Sequence, residues 1–347
     1  MTAFPTRPDD MTPGWLGDVL GAPPGALRGW TAQQVGTGQM CDSFRLTLDW
    51  ASAGPGLPAT VIAKCPSHDA ASRHIAAVTG TYVKEVGWYR ELRTTARVAA
   101  PDCYYADIAA NDIDFALILS DLWPAEQGDQ LAGTDLTALA PAIKQAARLH
   151  AALWNSPRLD GIAWLKRDNA DIVRALFPQL YEGFRQRYTG RLAREVLDVG
   201  AGIVAGLDRW LARTPAARTI VHGDLRLDNI LFAPGGTDCW LVDWQTLGIG
   251  SGAGDLAYLI GTSIADSAAR DDRAAFAAWL SALAEEGIDA DADALWSDYC
   301  IGALSGYFMA VFASMNVERT ARGDEMFAVM AERPARQALA LGSLALL

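Results

Sequence analysis

The sequence predicts an α+β protein of two lobes, a small β-rich lobe followed by a larger, mostly helical lobe. Three observations support this prediction. Strand-like runs separated by turns fill the first third of the chain, helical spacing of apolar residues dominates from about residue 123, and a strand–turn–strand pattern interrupts the helical part at 219–243. We therefore divide the chain into an N-terminal segment (1–29), a small lobe (30–122) and a helical lobe (123–347).

The small lobe is predicted from short apolar runs bounded by turn residues. Strand candidates lie at 43–50, 59–65, 103–109 and 114–122, with an antiparallel sheet as the expected arrangement. Between the second and third candidates, Ile75, Val78, Tyr82, Val86 and Tyr89 recur at intervals of three or four residues, which predicts one main helix.

The helical lobe begins with an amphipathic stretch at 135–154 and continues with helical patterns over 255–345. The exception is 219–243, where two apolar runs flank the turn sequence PGGTD and predict an embedded hairpin.

Composition excludes several classes of protein. A formal net charge of −12 without a basic cluster argues against a nucleic-acid partner. The cysteines are scattered singly, which argues against a disulfide framework or a thiolate metal site (Cys41, Cys65, Cys103, Cys239, Cys300). The most apolar stretch, 301–315, is too short for a membrane span, and the N-terminus lacks the basic and apolar regions of a signal peptide. We expect a cytoplasmic protein with no membrane partner.

The segment IVHGDLRLDNILF (220–232) places many polar side chains inside an apolar run. Each unpaired buried polar group costs about 1–3 kcal/mol, so these side chains are expected to share a task or to lie in an exposed turn. Phosphoryl transfer from ATP requires a carboxylate base and oxygen ligands for Mg²⁺. Asp224 suits the base, and Asn229, with four residues between them, and Asp243, at the end of the hairpin, suit the metal ligands. His222 is expected to support the loop, and Arg226 and Asp228 are expected to face solvent or substrate. An ordinary hairpin with an acidic turn is the alternative interpretation.

The small lobe contains the other parts that such chemistry needs. Lys64, in an apolar strand, suits a contact to the phosphates, and Glu85 on the following helix is able to pair with it. A water-facing lysine and a surface glutamate are the alternatives.

Two further features of the small lobe suit nucleotide binding. Gly36 and Gly38 fit a loop that crosses phosphates, although a third glycine is missing and a simple hairpin turn is equally consistent. The backbone around Ser120 and Leu122 is placed to read the adenine edge. Residues 30–122 are thus predicted to form a nucleotide-binding lobe.

The motifs HGDLRLDN and DWQTLGIGSGAGDLAYLI resemble those of the aminoglycoside/choline kinase-like phosphotransferases, nearest the ecdysteroid kinase-like branch and its bacterial relatives. The resemblance implies a protein kinase-like fold, ATP and Mg²⁺ as cofactors, and phosphorylation of a small-molecule hydroxyl. It implies Asp224 as base, Asn229 and Asp243 as metal ligands, and Asp255 as a structural support of the catalytic loop.

Two departures from the protein-kinase pattern bear on this resemblance. The tripeptide D-F-G is D-W-Q here, which indicates a fixed metal-binding segment. The sequence also lacks A-P-E and an activation loop between Asp243 and Asp255, so a protein substrate is not expected.

The acceptor remains open at the level of sequence. The D-W-Q pattern and a Trp-rich helical lobe favour a sterol-like or other alcohol, whereas an aminoglycoside O-phosphotransferase is the alternative within the same chemistry. An alternative of another class is a non-catalytic nucleotide-binding protein of the same fold. Five aromatic residues of the helical lobe could line an acceptor pocket, although core packing is the more frequent role of such residues (Trp154, Trp164, Tyr181, Tyr258, Tyr307).

Overall fold

The computed structural model describes residues 4–36, 40–51, 54–166 and 170–347. Gly38, predicted to belong to the phosphate loop, lies outside the described residues. The chain divides into two compact units. The first comprises Met1–Thr94, Ala100–Trp123 and Asp243–Gln245, and the second comprises Thr95–Ala99, Pro124–Val242 and Thr246–Leu347. Compared with the predicted lobes, residues 95–99 lie in the second unit and residues 243–245 lie in the first.

The described part of the first unit is built on a five-stranded antiparallel sheet. In sheet order β1-β2-β3-β5-β4, its strands are β1 Leu27–Val35, β2 Cys41–Trp50, β3 Thr60–Pro66, β5 Phe115–Ser120 and β4 Cys103–Ile108. Side chains alternate along a strand. Val61 and Ala63 of β3 therefore face the apolar core that also contains Leu46 and Ile118, whereas Lys64 belongs to the opposite face.

The N-terminal segment packs onto this sheet. Helix α1 (Pro13–Val19) is capped by Thr12, whose side chain accepts a hydrogen bond from the Trp15 N–H. Leu16 and Leu20 lie in the same core cluster as the strand residues. Residues before β1 thus help to bury one face of the sheet.

The predicted main helix of the small lobe is divided in two. Helix α2 (Ala70–Thr79) ends at Gly80, whose φ of 70° is left-handed, and helix α3 (Thr81–Gly87) starts directly after it. A glycine in this conformation is a common helix terminator. A short π-helix, Trp88–Leu92, continues α3. The prediction of one continuous helix was wrong because periodicity alone does not register the turn at Gly80.

The second unit is mostly helical. Its helices are α4 Leu136–Ala151, α5 Ala170–Tyr188, α6 Arg194–Leu211, α7 Gly252–Ser263, α8 Asp272–Glu285, α9 Ala292–Gly302, α10 Leu304–Asn316 and α11 Ala321–Leu341. Within the described ranges, none of the helices of either unit is long and apolar enough to cross a membrane.

Two small antiparallel sheets are embedded among these helices. One has the order β6-β8-β9, with β6 Glu126–Gln127, β8 Ile230–Phe232 and β9 Cys239–Leu241. The other pairs β7 Thr219–Val221 with β10 Gly248–Gly250. The strands β7, β8 and β9 correspond to the predicted embedded hairpin, and the pairing of β7 with β10 was not predicted.

Helix α7 is the central helix of the second unit, and nearly all of its residues are buried. It crosses α9 at two glycines: a Cβ on Gly302 would lie 2.3 Å from the Cα of Gly254. The backbones therefore meet without intervening side chains. This close crossing fixes α7 beneath the loop that joins β7 to β8.

Candidate active site

The first unit gathers Lys64, Glu85 and Asp243 around one ammonium group. The Lys64 Nζ donates a short hydrogen bond to Glu85 Oε1 and lies 3.4 Å from Asp243 Oδ1. Glu85, fully buried on α3, also accepts a hydrogen bond from the Gln245 side chain at 3.1 Å. Burial acts to lower the pKa of Lys64, but the neighbouring acidic groups Cys41, Glu85 and Asp243 outweigh it and hold this pKa well above its ordinary value. A cation is thus maintained beside the carboxylate of Asp243.

The segment that follows Asp243 is held in place by its neighbours in the first unit. Asp243 has a φ of 68°, which is uncommon for a residue with a side chain. The next residue, Trp244, is fully buried and stacks on Trp88 with ring centroids 3.7 Å apart. Gln245 donates to both Glu85 and the Cys41 sulfur. These contacts restrain the conformation that the D-W-Q sequence was expected to fix.

The second unit holds Asp224 and Asn229 in one loop. The Asn229 amide nitrogen donates to Asp224 Oδ2 at 2.9 Å and to the Asp224 carbonyl at 2.8 Å. The Tyr258 hydroxyl donates to the other carboxylate oxygen, Oδ1, at 2.5 Å. Because both hydrogens of the Asn229 amide have acceptors, its oxygen is the atom left to accept or to ligate.

Asp255 supports this loop from below. Its carboxylate accepts hydrogen bonds from the backbone N–H groups of His222 at 2.8 Å and Gly223 at 3.0 Å. Burial acts to raise the pKa of Asp255, but the hydrogen bonds that its carboxylate accepts from His150 and from the His222 backbone N–H outweigh burial, so this pKa lies below its ordinary value. The loop is therefore anchored by an ionised carboxylate on α7.

The contacts of His150 define its tautomer. The Trp279 indole N–H donates to His150 Nδ1 at 3.1 Å, and an indole nitrogen is only a donor. Nδ1 must then be unprotonated, so His150 is neutral and its Nε2–H points to Asp255 Oδ2, 3.2 Å away. His150 thus orients the carboxylate that anchors the loop.

His222 and Gly223 shape the start of the loop. The carbonyl of His222 accepts from the Thr246 hydroxyl at 2.8 Å, and its ring Nε2 lies 3.0 Å from the Val242 carbonyl. Gly223 has a φ of 79°, and a Cβ at this position would lie 2.5 Å from the Thr246 carbonyl oxygen. Only glycine fits there without displacing the neighbouring chain.

The predicted nucleotide-binding positions outside this loop are only partly placed as expected. Gly36, at the end of β1, has a left-handed φ of 80°. The backbone N–H of Ser120 donates to the Asp102 carbonyl at 2.8 Å within the sheet. That N–H is therefore engaged within the sheet, and the reading of an adenine edge by the backbone around Ser120 and Leu122 stays a prediction. Leu122 lies two residues beyond the end of β5.

Comparison with known proteins identifies the family. The model of the phosphotransferase enzyme family matches residues 59–296, which is more than half of the chain. The chain belongs to this family. A search of curated protein sequences found no match.

Solved structures support the same fold for this phosphotransferase. Choline kinase from Cryptosporidium parvum Iowa II is 11% identical, with a TM-score of 0.55 over 90% of this chain and 89% of that chain. Plasmodium vivax ethanolamine kinase is 10% identical, with a TM-score of 0.53 over 88% of this chain and 82% of that chain. The GDP complex of wild-type aminoglycoside 2'-phosphotransferase-IIIa is 15% identical, with a TM-score of 0.55 over 88% and 92%.

These comparisons confirm the predicted kinase-like α+β fold and the prediction that the chain is a phosphotransferase. Assignment to the ecdysteroid kinase-like branch stays a prediction, as do the roles of the individual residues.

Two residues of the phosphotransferase loop differ from the sequence interpretation. Arg226 and Asp228 were interpreted as facing solvent or substrate, but both side chains are largely buried. The Arg226 guanidinium donates to Asp228 Oδ2 at 2.5 Å and to Asp224 Oδ2 at 3.2 Å. The loop therefore contains an internal ion-pair network around Asp224.

The residues predicted as metal ligands, Asn229 and Asp243, carry oxygen donors of the type that Mg²⁺ prefers. Among the described residues, no cluster of three His, Cys, Asp or Glu side chains forms a metal site. Mg²⁺ in phosphoryl-transfer enzymes is commonly bound by one or two protein ligands together with substrate phosphates. The Asp243 carboxylate and the Asn229 amide oxygen are ligands of that kind.

Proposed function

We propose that this phosphotransferase transfers the γ-phosphoryl group of ATP to a hydroxyl group of a small molecule. The observation that carries the proposal is the setting of Asp224, whose Oδ2 accepts from Asn229 and Arg226 and whose Oδ1 accepts from Tyr258. A carboxylate held by three donors presents its remaining lone pair in a fixed direction. Such a group suits a base that receives a hydroxyl proton.

The proposed step is a direct displacement at phosphorus. The acceptor oxygen forms a bond to the γ-phosphorus, the bond between that phosphorus and the β–γ bridging oxygen breaks, and ADP leaves. The hydroxyl proton passes to Asp224. Lys64, kept charged beside Glu85 and Asp243, neutralises nucleotide phosphates.

Asn229 and Asp243 are proposed to hold Mg²⁺, whose charge would offset the negative charge of the triphosphate. The choice of ATP follows from the resemblance of the motifs. GTP is the alternative, because aminoglycoside 2'-phosphotransferase-IIIa was solved as a GDP complex.

The test is ADP or GDP release with Mg·ATP or Mg·GTP across a mixed panel of aminoglycosides, amino alcohols, sterols and other alcohols. Asp224→Asn keeps the size of the side chain and should lower acceptor-dependent release by about 10²–10⁴-fold, the usual contribution of a general base. Asp238→Asn, in the exposed turn between β8 and β9, is the matched control and should behave as wild type.

Two results would contradict the proposal. Turnover of Asp224→Asn within tenfold of wild type would remove the base assignment. Nucleotide binding by the wild-type protein, shown by thermal shift, without release of nucleoside diphosphate for any acceptor or water would favour the non-catalytic alternative.

A further inference from the structure

A cavity of about 430 Å³ opens within the second unit, next to the catalytic loop. Its walls come from the end of α6, the β7–β10 pair, the start of α7, and α9 and α10. Trp210, Leu211, Val221, Ile249 and Ile301 supply apolar surface. This volume is in the range of pockets that take small organic molecules.

The hydrogen bonds of Asp224 connect this cavity to the proposed base. Asp224 Oδ2 already accepts from Asn229 and Arg226, whereas Oδ1 accepts from Tyr258. Each carboxylate oxygen has about two lone-pair sites, so Oδ1 keeps one site that could accept a hydrogen bond from an incoming hydroxyl. Tyr258, the donor to Oδ1, and Gly223, the residue before Asp224, both line the cavity. Two residues in direct contact with the proposed base thus form part of the cavity wall.

The carboxylates that line the described cavity are both fully engaged. Asp255 is occupied by the loop backbone and His150. Asp298, also buried, accepts from the Arg213 guanidinium at 3.1 Å, the Ala216 N–H at 2.8 Å and the Ser251 hydroxyl at 3.1 Å. Neither is free to pair with a cation entering the cavity.

The remaining charges on the wall are positive. Arg213 and Arg218 line the cavity with side chains that are 33% and 44% exposed, respectively. Arg218 pairs with Asp160, which is itself largely exposed and does not line the cavity. A ligand ammonium would meet two guanidinium groups and no unengaged carboxylate in the described wall. Moving a ligand ammonium from water into this cavity is therefore unfavourable.

We infer that this cavity binds the acceptor, and that the acceptor is a mostly apolar alcohol without a cationic group. The inference rests on the proposed function, because it takes Asp224 as the base. It separates this chain from enzymes whose acceptors are amino sugars or quaternary amino alcohols. Apolar contacts with Trp210 and Ile301 supply the affinity, and the Tyr258 side of the cavity positions the reacting hydroxyl.

The test uses two probes of equal shape, trans-4-tert-butylcyclohexanol and the same ring with trimethylammonium in place of tert-butyl. Binding is measured by calorimetry in the presence of Mg·ADP. The uncharged probe should bind wild-type protein at least tenfold more tightly than the cationic probe. Ile301→Trp, which fills the cavity, should weaken binding of the uncharged probe at least tenfold. Ile172→Trp, on the exposed face of α5, is the matched control and should stay within twofold of wild type.

A second variant tests the inference independently in case Ile301→Trp does not fold. Ser305→Asp adds an unengaged carboxylate to a half-buried position of the cavity wall and should shift the preference at least tenfold toward the cationic probe. The inference is overturned if the cationic probe binds wild type as tightly as the uncharged one, or if neither probe binds. It is also overturned if Ile301→Trp and Ser305→Asp both bind the two probes as wild type does.

Slow ADP release with water as acceptor is measured in the same samples. If this release is lost in Asp224→Asn, it measures phosphoryl transfer by the proposed catalytic residues without requiring a ligand in the cavity. Its presence without probe binding would refute the acceptor inference alone, whereas its absence from wild-type protein, together with silence across the acceptor panel, would refute the proposed function.

Discussion

Replacement of Arg226 by Met would leave two largely buried carboxylates without the guanidinium that lies between them. Arg226 contacts Asp228 Oδ2 at 2.5 Å and Asp224 Oδ2 at 3.2 Å, and the three side chains are 16%, 7% and 18% exposed, respectively. Met has a similar length and keeps the apolar part of the contact. The substitution therefore removes mainly the charge and its hydrogen bonds.

The size of the effect follows from the burial of this network. Opposite charges about 3 Å apart attract by about 5 kcal/mol at an effective dielectric constant of about 20. Desolvation offsets much of this, but removal of one partner of a buried ion pair still costs about 3–5 kcal/mol. Asp224 keeps Tyr258 and Asn229, and Asp228 keeps a 3.3 Å hydrogen bond from the Gln130 N–H. We therefore expect the lower end, a loss of about 3 kcal/mol in the free energy of unfolding.

The assay is urea unfolding followed by far-UV circular dichroism, which reports mainly the helical second unit. Arg174→Met is the matched control, because Arg174 also bridges two carboxylates, Asp171 and Asp208, but these are 98% and 85% exposed. Its loss should be much smaller than that of Arg226→Met, because ion pairs of exposed side chains contribute little to stability. Adding Asp228→Asn to Arg226→Met should recover about 1–2 kcal/mol, since it removes the orphaned charge. Equal losses for Arg226→Met and Arg174→Met, or no recovery in the double variant, would refute the reasoning.

Two further predictions concern the support of the catalytic loop. Gly223→Ala should destabilise the protein by at least about 2 kcal/mol in the same urea assay, because left-handed strain adds to a 2.5 Å approach to the Thr246 carbonyl oxygen. Gly235→Ala is the control, because Gly235 has a φ of 86° but open space around it, so only the left-handed backbone strain applies and the loss should be about 1 kcal/mol. Equal losses for the two variants would argue against a contribution from the close approach to the Thr246 carbonyl oxygen. The pKa of Asp255 is lower in the folded protein than in the unfolded chain, so its ionised form stabilises the fold. This stabilisation is complete above the ordinary pKa of about 4 and is lost as the pH falls through the pKa of the folded state. Asp255→Asn should therefore be less stable than wild type at pH 7, and the gap in melting temperature should narrow toward pH 2; a gap independent of pH would contradict this.

The parts of the site that could be predicted from the sequence are those set by local spacing. Asp224 and Asn229 lie on one short loop, so their proximity follows from chain connectivity. Lys64 and Glu85 lie on a strand and on the helices that follow it, which restricts where the two side chains can meet. The roles of all four residues stay predictions.

Long-range contacts were not predictable in the same way. Tyr258 lies 34 residues from Asp224 along the chain, and nothing in the local pattern shows that its hydroxyl reaches the carboxylate. A signal was nevertheless present, because Tyr258 follows Asp255 by three residues and shares its face of a helix. Since Asp255 was expected to support the catalytic loop, Tyr258 on the same helix face was a candidate for contact with that loop.

Two errors in the fold have a similar origin. Periodicity carried the predicted helix through Gly80, although a glycine within the pattern was a possible stop signal. Strand β1 was not predicted, because most of its residues are partly or fully exposed and its sequence therefore lacks the alternation of a half-buried strand. Apolar patterns report burial, and they give little information where an element is exposed on both faces.

Helix α7 couples the proposed base to the proposed acceptor cavity. Asp255 holds the loop backbone, Tyr258 holds the Asp224 side chain, and Gly254 and Tyr258 form part of the cavity wall. A substitution on this face of α7 would move the base together with the cavity, because the helix is almost wholly buried and crosses α9 by backbone contact. Acceptor specificity is therefore expected to change more freely at Trp210 or Ser305, on other helices, than at any cavity-lining position of α7.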